Sequence, residues 1–397
     1  MNKKVSFISK MMMFAATTVF MAACSDSENV TQAVTVQVQV LLPEGFSSDA
    51  AYSGQTVTLG SYTATTDDTG VATFEGVIPD VYDIATSCEI TADQYREMTG
   101  NDESQNLNYI LTGSLLNQTV ATATTISLQT SASVKQSLVI SKVYYSGTKD
   151  NNSKNYLAGK YLEFFNNSDE TIDIAGIYFG LIESNSTPAY DLGTTPDYIY
   201  LKQIYRFPTE SAIEVAAGEA IVVANSAIDH TANNEVDLSG ADFEAKDEAG
   251  KTTNNPDVPA IELIYTFSSS LTYMNLVQGG PCSIVLFETD EDIDNWERVY
   301  ADGKTSGSQY VKMPIKYVTD GVDCLKNKTT GVDVDSKRLY DYIDAGYQNI
   351  EAISGYTGEV VYRKVSTTEN GRTVLADTNN STNDFAVSTT ILPKQFE

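Results

Sequence analysis

Histidine is nearly absent from this chain: among 397 residues only His230 is one, and there is likewise a single tryptophan. A Ser–His–Asp or Cys–His device would have to be built on that one imidazole, and the two-histidine zinc pattern HExxH is excluded. No GxSxG elbow occurs. Cysteine is scarce too, four residues with no CxxC and no cysteine–histidine cluster. No segment has eighteen or more consecutive apolar residues, so no spanning helix is expected. Basic residues are few, 25 against 53 acidic ones, for a net charge of −28. Such a surface repels phosphate backbones and anionic lipid, which argues against nucleic acid as a partner; acidic surfaces also keep exported proteins soluble. Long helical periodicity is missing as well. Thr, Val and Tyr are plentiful, a composition that points to β-sheet domains.

What is present begins with a leader. "MNKKVSFISKMMMFAATTVFMAACSDSEN" places Lys3, Lys4 and Lys10 ahead of a thirteen-residue apolar stretch from Met11 to Ala23. That length suits a signal peptide and falls short of a bilayer span. Ala22 and Ala23 then precede Cys24, which resembles a bacterial lipobox, with Met21 where Leu is more usual. The resemblance implies residues 1–23 as a lipoprotein signal peptide, Cys24 as the acylated residue and 24–32 as a flexible linker. Acyl chains anchor by burying methylenes at about 0.8 kcal/mol each, so membrane attachment through the N-terminus needs no spanning helix. Removal of residues 1–23 takes away three lysines and no acid, leaving −31. The acidic "SDSEN" resembles the export signal that sends lipoproteins of Bacteroidota-type bacteria to the outer face of the outer membrane. With Cys24 acylated, Cys88, Cys282 and Cys324 remain; Cys282–Cys324 is a candidate disulfide whose geometry spacing cannot supply.

The following segment alternates strictly. In "AVTVQVQVLL" Val34, Val36, Val38 and Val40 point one way, and Thr35, Gln37 and Gln39 the other. Short strands follow around a turn at Asp67–Gly70, where Asp67 and Asp68 read as turn formers ahead of calcium ligands. "TVTL", "TDDTGVATFEGV" and "PDVYDI" resemble a carboxypeptidase regulatory-like or prealbumin-like β-sandwich, with Pro79 and Asp80 where Gly is usual. The resemblance covers residues 33–133 and implies a stalk or binding module. Residues 91–106 read as a polar insertion with one helical turn.

From residue 134 a second set of strands begins. In "KYLEFFNNSDETIDIAGIYFG" Leu162 and Phe164 share one face, and Tyr161, Glu163 and Phe165 the other. Gly176 permits a bend. "ISKVYY", "YLEFFN", "NSDET", "DIAGI", "IEVAAGEAIVVAN", "MNLVQGGPCSIVLFE" (as a hairpin), "GEVVYRKV" (as a closing strand with Arg363) and "DTNNSTNDF" follow, in order, the pattern of lamin-tail domains. Lys142, Ile177 and Ala217 depart from it, and insertions at about 184–210 and 228–258 enlarge the domain. The resemblance implies an immunoglobulin-like sandwich over residues 134–397 and gives Glu163 a structural role. Together the fragments resemble surface lipoproteins of Bacteroidota-type bacteria carrying a lamin-tail-like domain, a family without assigned activity. The fold class expected is therefore all-β, two β-sandwich domains.

Candidate sites are sparse. His230 reads as the start of a polar loop. "EAGKTT" ends like a phosphate loop at Gly250, Lys251 and Thr252, but Ala245 stands where Gly is needed. Asp290, Asp292 and Asp294 have calcium-loop spacing, yet Asn295 and Ala301 do not complete the motif, leaving a solvated hairpin loop or a different calcium loop. Tyr190, Tyr198, Tyr200 and Tyr205 would stack on sugars if exposed, and fit strand alternation otherwise. The expectation is no catalytic residue, cofactor or metal. The chain reads as a non-enzymatic binding or accessory lipoprotein for an outer-membrane partner or extracellular ligand. A carboxylate-based glycan hydrolase and a structural or adhesive surface protein are the alternatives.

Overall fold

The computed structural model describes residues 32–47, 50–101, 108–184, 197–245, 255–301 and 304–397. The leader with Cys24, the end of the 91–106 insertion, Tyr190 and Gly250–Thr252 lie outside the described residues. The elements are almost all strands, so the expected all-β sandwich class holds. The chain divides into two compact units. One holds the chain up to Cys88 with Arg96–Asp102 and Gly113–Ser131; the other holds Glu89–Tyr95, Glu103–Thr112 and Ala132–Glu397.

In the first unit Val34–Leu41 is a strand, with Val36, Val38 and Val40 buried as alternation requires. It lies between Val71–Val77, antiparallel, and Thr124–Gln129, parallel. The other sheet runs Tyr62–Thr65, Thr56–Leu59, Asp80–Ile90, Tyr109–Val120, Ser131–Val134. The Asp67 turn is closed by its own carboxylate, which accepts from Thr69 N at 2.8 Å, Thr69 Oγ1 at 2.7 Å and Val71 N at 3.1 Å. Gly70 follows at φ +81°, where a side chain would be strained. The expected single helical turn is a full helix, Ala92–Thr99. Thr91 and Gln94 cap it reciprocally: Gln94 N donates to Thr91 Oγ1 and Thr91 N to Gln94 Oε1.

The second unit is a sandwich of two large sheets. One runs Phe243–Glu244, Ala220–Ala224, Tyr161–Asn166, Leu138–Tyr144, Val360–Arg363, Phe385–Ser388. The other runs Arg298–Tyr300, Gln309–Pro314, Tyr198–Arg206, Tyr178–Ile182, Ile284–Phe287, Val318–Val322, with Glu262–Thr266 beside Tyr198–Arg206. Their facing sides share one core, in which Ile140, Leu162, Phe164 and Val361 meet Phe179, Leu181, Tyr205 and Leu286. Phe164 and Phe179 touch, ring centroids 5.1 Å apart. Ile177, which stands where the lamin-tail pattern has Trp, packs half-buried on this core.

Both outer faces are also covered. Ile293, Trp296, Leu339 and Ile343 close the back of the seven-stranded sheet. Ala227, Leu238, Ala241, Val258 and Ile391 close the back of the six-stranded sheet. Strands buried on both faces lose the polar half of their alternation. That is why "LVISKVY" and "YLEFFN" are buried along their whole length.

Within the stretch read as an insertion, residues 198–206 form a nine-residue strand central to its sheet. Two readings are corrected. "MNLVQGGPCSIVLFE" is no hairpin: an irregular segment with a cis Gly280–Pro281 bond leads into one strand, Ile284–Phe287. The Arg363 strand does not close the sheet but lies between Leu138–Tyr144 and Phe385–Ser388.

Candidate functional site

Glu163 faces Lys142 directly across two paired strands. Lys142 Nζ lies 2.5 Å from Oε1, Ser141 Oγ donates to the same oxygen at 2.8 Å, and Lys394 N donates to Oε2 at 2.6 Å. The side chains are 1% and 0% exposed, and the Phe396 ring sits 4.2 Å from the ammonium. Burial pulls the Lys142 amine down, and Glu163 opposes it. The carboxylate's acceptors are filled, so it joins two strands to the C-terminal tail, in keeping with the structural role expected of it. Removing one partner strands the other as a buried charge. Lys142→Met should therefore lower unfolding free energy by about 3–5 kcal/mol. The Lys142→Met/Glu163→Met double variant should lose much less; urea denaturation of the three variants reads the difference.

Arg363 is the second hub. Its guanidinium makes a paired contact to Asp320 at 2.9 and 3.0 Å, reaches Asp377 at 3.0 Å, and lies 3.7 Å from Asp384. Nε donates to Ile140 O at 2.9 Å, and Ile140 N donates back to Asp320 at 2.6 Å. One cation thus holds three carboxylates beneath the Phe385 ring.

His230 is not in a solvated loop. It is fully buried, with Nδ1 2.7 Å from the Tyr156 hydroxyl and Nε2 2.8 Å from Ser226 O. Burial lowers its basicity, so the ring is held as a neutral wedge under the 228–241 segment. Beside it Glu235 lies against Gly159, with Tyr144, Tyr156 and Tyr161 facing it. Burial pushes its carboxyl up to about 7.

The acidic run is a built corner. Asp292 caps the short 3-10 turn Ile293–Asn295 by accepting from Asp294 N at 3.1 Å, and Asp294 reaches Arg298 at 3.7 Å. Glu291 accepts from Trp296 Nε1 at 2.8 Å. Among the described residues no group of three or more His, Cys, Asp or Glu is placed to hold a metal ion. Tyr200 and Tyr205 are both buried in a strand covered on both faces, and Lys312 lies over the Tyr198 ring.

Cys282 and Cys324 are neighbours, just before Ile284–Phe287 and just after Val318–Val322, with Cys282 N donating to Cys324 O at 2.8 Å, and both carry free thiols rather than the candidate disulfide. Burial raises both thiols; it pushes Cys88, beside Tyr52, up to about 11.

Among the described residues five cationic side chains are buried: Lys142, Lys160, Lys202, Arg338 and Arg363. Three have carboxylate partners, Arg338 pairing with Glu183 at 3.0 Å. Among the described residues Lys160 and Lys202 have no such ion pair. Lys160, just before Tyr161–Asn166 in one sheet, donates to Leu276 O at 2.5 Å. Lys202, within Tyr198–Arg206 in the other, donates to Ser184 Oγ at 2.9 Å. Cys282 lies close enough to feel both amines, and the Val277 N–H faces its sulfur. Burial brings each lysine down to about 8.

Residues 216–391 match the family model described as a protein of unknown function (DUF4876). The chain is also similar to a crystal structure of a DUF4876 family protein from Bacteroides thetaiotaomicron VPI-5482. The identity is 21% and the TM-score 0.59, over 92% of this chain and 98% of that one. At that identity the likeness is one of fold. No curated protein matches. The matched segment contains His230, Glu235, Cys282, Asp320, Arg338 and Arg363, whereas Lys142, Lys160, Glu163 and Lys202 lie before it.

Motif reasoning did not find Lys160 and Lys202. Their signal is a lone basic residue in or beside a continuous apolar strand, "KYLEFF" and "YIYLKQIYRF". Such a position offers an ammonium no route to water.

Proposed function

We propose that this protein is an outer-membrane lipoprotein, held by acyl chains on Cys24 and facing the cell exterior, that acts as a non-enzymatic binding or accessory module. The first unit, with its regulatory-like sandwich pattern, serves as a spacer. The second, with its lamin-tail-like pattern, presents the loops that meet an outer-membrane partner or an extracellular ligand. The observation that carries this reading is where the reactive side chains go. His230, Glu163 and the Arg363 carboxylates are each spent on joining strands or loops. The lipobox-like leader and acidic "SDSEN" support the location, and a like-folded chain from a Bacteroides species fits it. The net charge of −28 speaks against nucleic acid as the partner.

Two measurements test this. Cys24→Ser should move the protein from the membrane fraction to the soluble one, because the anchor is the buried methylenes of its acyl chains. Retention in the membrane would overturn the anchoring. Affinity capture from intact outer membranes should recover one partner in stoichiometric amount. Glycan hydrolysis by the purified chain, abolished by Asp or Glu substitutions, would replace the binding reading with the hydrolase one.

A further inference from the structure

We propose that the turn at residues 78–81 of the first unit seats against the lipid surface beside the acylated end of the chain, as a second, apolar point of membrane contact. The inference rests on the anchoring through Cys24 proposed above and adds to it a side-chain contact and a fixed orientation.

Among the described residues the two most exposed large apolar side chains are Ile78, 47% exposed, and Val81, 51%. Single exposed apolar residues are ordinary on a protein surface. These two flank one turn, with only Pro79 and Asp80 between them. The turn is braced. The Tyr82 hydroxyl donates to Ile78 O at 2.6 Å, and Ile78 N donates to the Tyr62 hydroxyl at 3.3 Å. The two rings meet edge to face, centroids 5.9 Å apart. Gly60 leaves room for them, since a Cβ there would come within 2.7 Å of the Tyr82 ring. Two aliphatic side chains are thus displayed on a turn whose backbone is bonded to two phenols, a combination suited to a membrane interface.

Strand register puts this turn where the chain enters the unit. Val34 pairs with Val77, the residue before Ile78. On its other side Val34–Leu41 runs parallel to Thr124–Gln129, with Val36 opposite Thr124, so the uncharged residues 121–123 lie at the same end. Val34 follows Cys24 by ten positions, so an acylated Cys24 keeps this end within about 35 Å of the bilayer surface even with the intervening chain fully extended.

The contact is apolar and not electrostatic. Residues 32–88 and 113–131 contain no lysine or arginine, so these segments offer nothing to draw an anionic headgroup. Of the acids around the turn, Asp80 accepts from Val81 N at 2.8 Å and Asp83 from Asn117 N at 2.7 Å. Glu75 stays exposed, which keeps the contact shallow. A tether by itself leaves the unit free to pivot about one point. Burying Ile78 and Val81 at the acyl boundary favours one orientation, with the Val34 end against the lipid.

The test uses the lipidated full chain in vesicles of phosphatidylcholine, a zwitterionic lipid that an acidic surface does not repel. Ile78→Trp and Leu41→Trp are compared. Leu41, 40% exposed, ends the same strand, about 23 Å from Val34. Brominated phosphatidylcholine should quench the indole introduced at position 78 and leave the one at position 41 unquenched, with the nearly buried Trp296 of the parent chain as the common baseline. The emission from position 78 should also move to shorter wavelength on the vesicles. In the wild-type chain, amide hydrogen exchange across residues 78–82 should be slower on vesicles than in the soluble Cys24→Ser chain, a reading that needs no substitution in the turn. Flotation of the chain with the vesicles but equal quenching at the two positions overturns this inference alone. A chain that does not float with them overturns the anchoring and this inference together. A wavelength shift that grows with protein concentration in the absence of lipid gives the turn to a second copy of the chain and also overturns it.

Discussion

Arg363→Leu should cost the second unit at least about 3–5 kcal/mol, the range for removing one partner of a buried ion pair. The loss should grow with pH. Asp320, Asp377 and Asp384 would be left without their shared cation, and the side chains are at most 5% exposed. Burial already lifts Asp384 to about 6, and Asp320 well above the usual carboxylate range, against the pull of Arg363. A carboxyl raised in the folded state contributes stability that is full below its unfolded value near 3.8. It is lost as pH rises through the folded value. Without the guanidinium both carboxyls rise further. The difference between wild type and variant should therefore be larger at pH 8 than at pH 5. Urea denaturation followed by Trp296 measures it, since this single tryptophan lies in the second unit, nearly buried and stacked on Tyr317. Equal losses at the two pH values would show that the carboxylates do not control the effect.

The second large effect has the opposite sign. Lys202→Met should stabilise the protein at pH 6.5. The folded amine sits at about 8 against an ordinary 10.5, because burial outweighs its neighbours. At about 1.4 kcal/mol per unit, keeping this amine protonated costs the folded state about 3 kcal/mol below pH 8. Met fills a similar volume without charge and gives up one hydrogen bond, worth about 1 kcal/mol, to Ser184. A net gain of about 1–3 kcal/mol is expected. For a depressed amine, stability is present above the unfolded value and lost as pH falls through the folded one. The variant's advantage should thus be greatest below pH 8 and vanish towards pH 10.5. A destabilised variant at pH 6.5 would mean that packing or hydrogen bonding at Lys202 outweighs its desolvation.

These sites differ in how much of them was legible beforehand. Alternation in "VTVQVQV" placed Val36, Val38 and Val40 in the first core, and the face shared in "YLEFF" placed Leu162 and Phe164 in the second. The Thr91–Gln94 capping box was written in "TADQ", although its helix is longer than one turn. Tyr198–Arg206 fell in a stretch read as an insertion because it exceeds the lamin-tail pattern. Its Lys202 and Gln203 are both buried, Gln203 satisfied by the carbonyls of Leu271 and Tyr273. His230 looked exposed among polar neighbours, yet its partner Tyr156 is 74 positions away. Nothing local to the histidine could show that.

Sequence alone determined the charge balance, the lipobox-like leader and the all-β character, because each depends on composition or on a period of two within a few residues. Tertiary structure decided which charges are paired. Arg363 reaches Asp320 across 43 positions and Ile140 across 223. Strand register sets such meetings, and so does the loop or tail that covers each outer face. The same register sets Lys142 directly opposite Glu163, while Lys160 and Lys202 find only a carbonyl and a hydroxyl to donate to among the described residues.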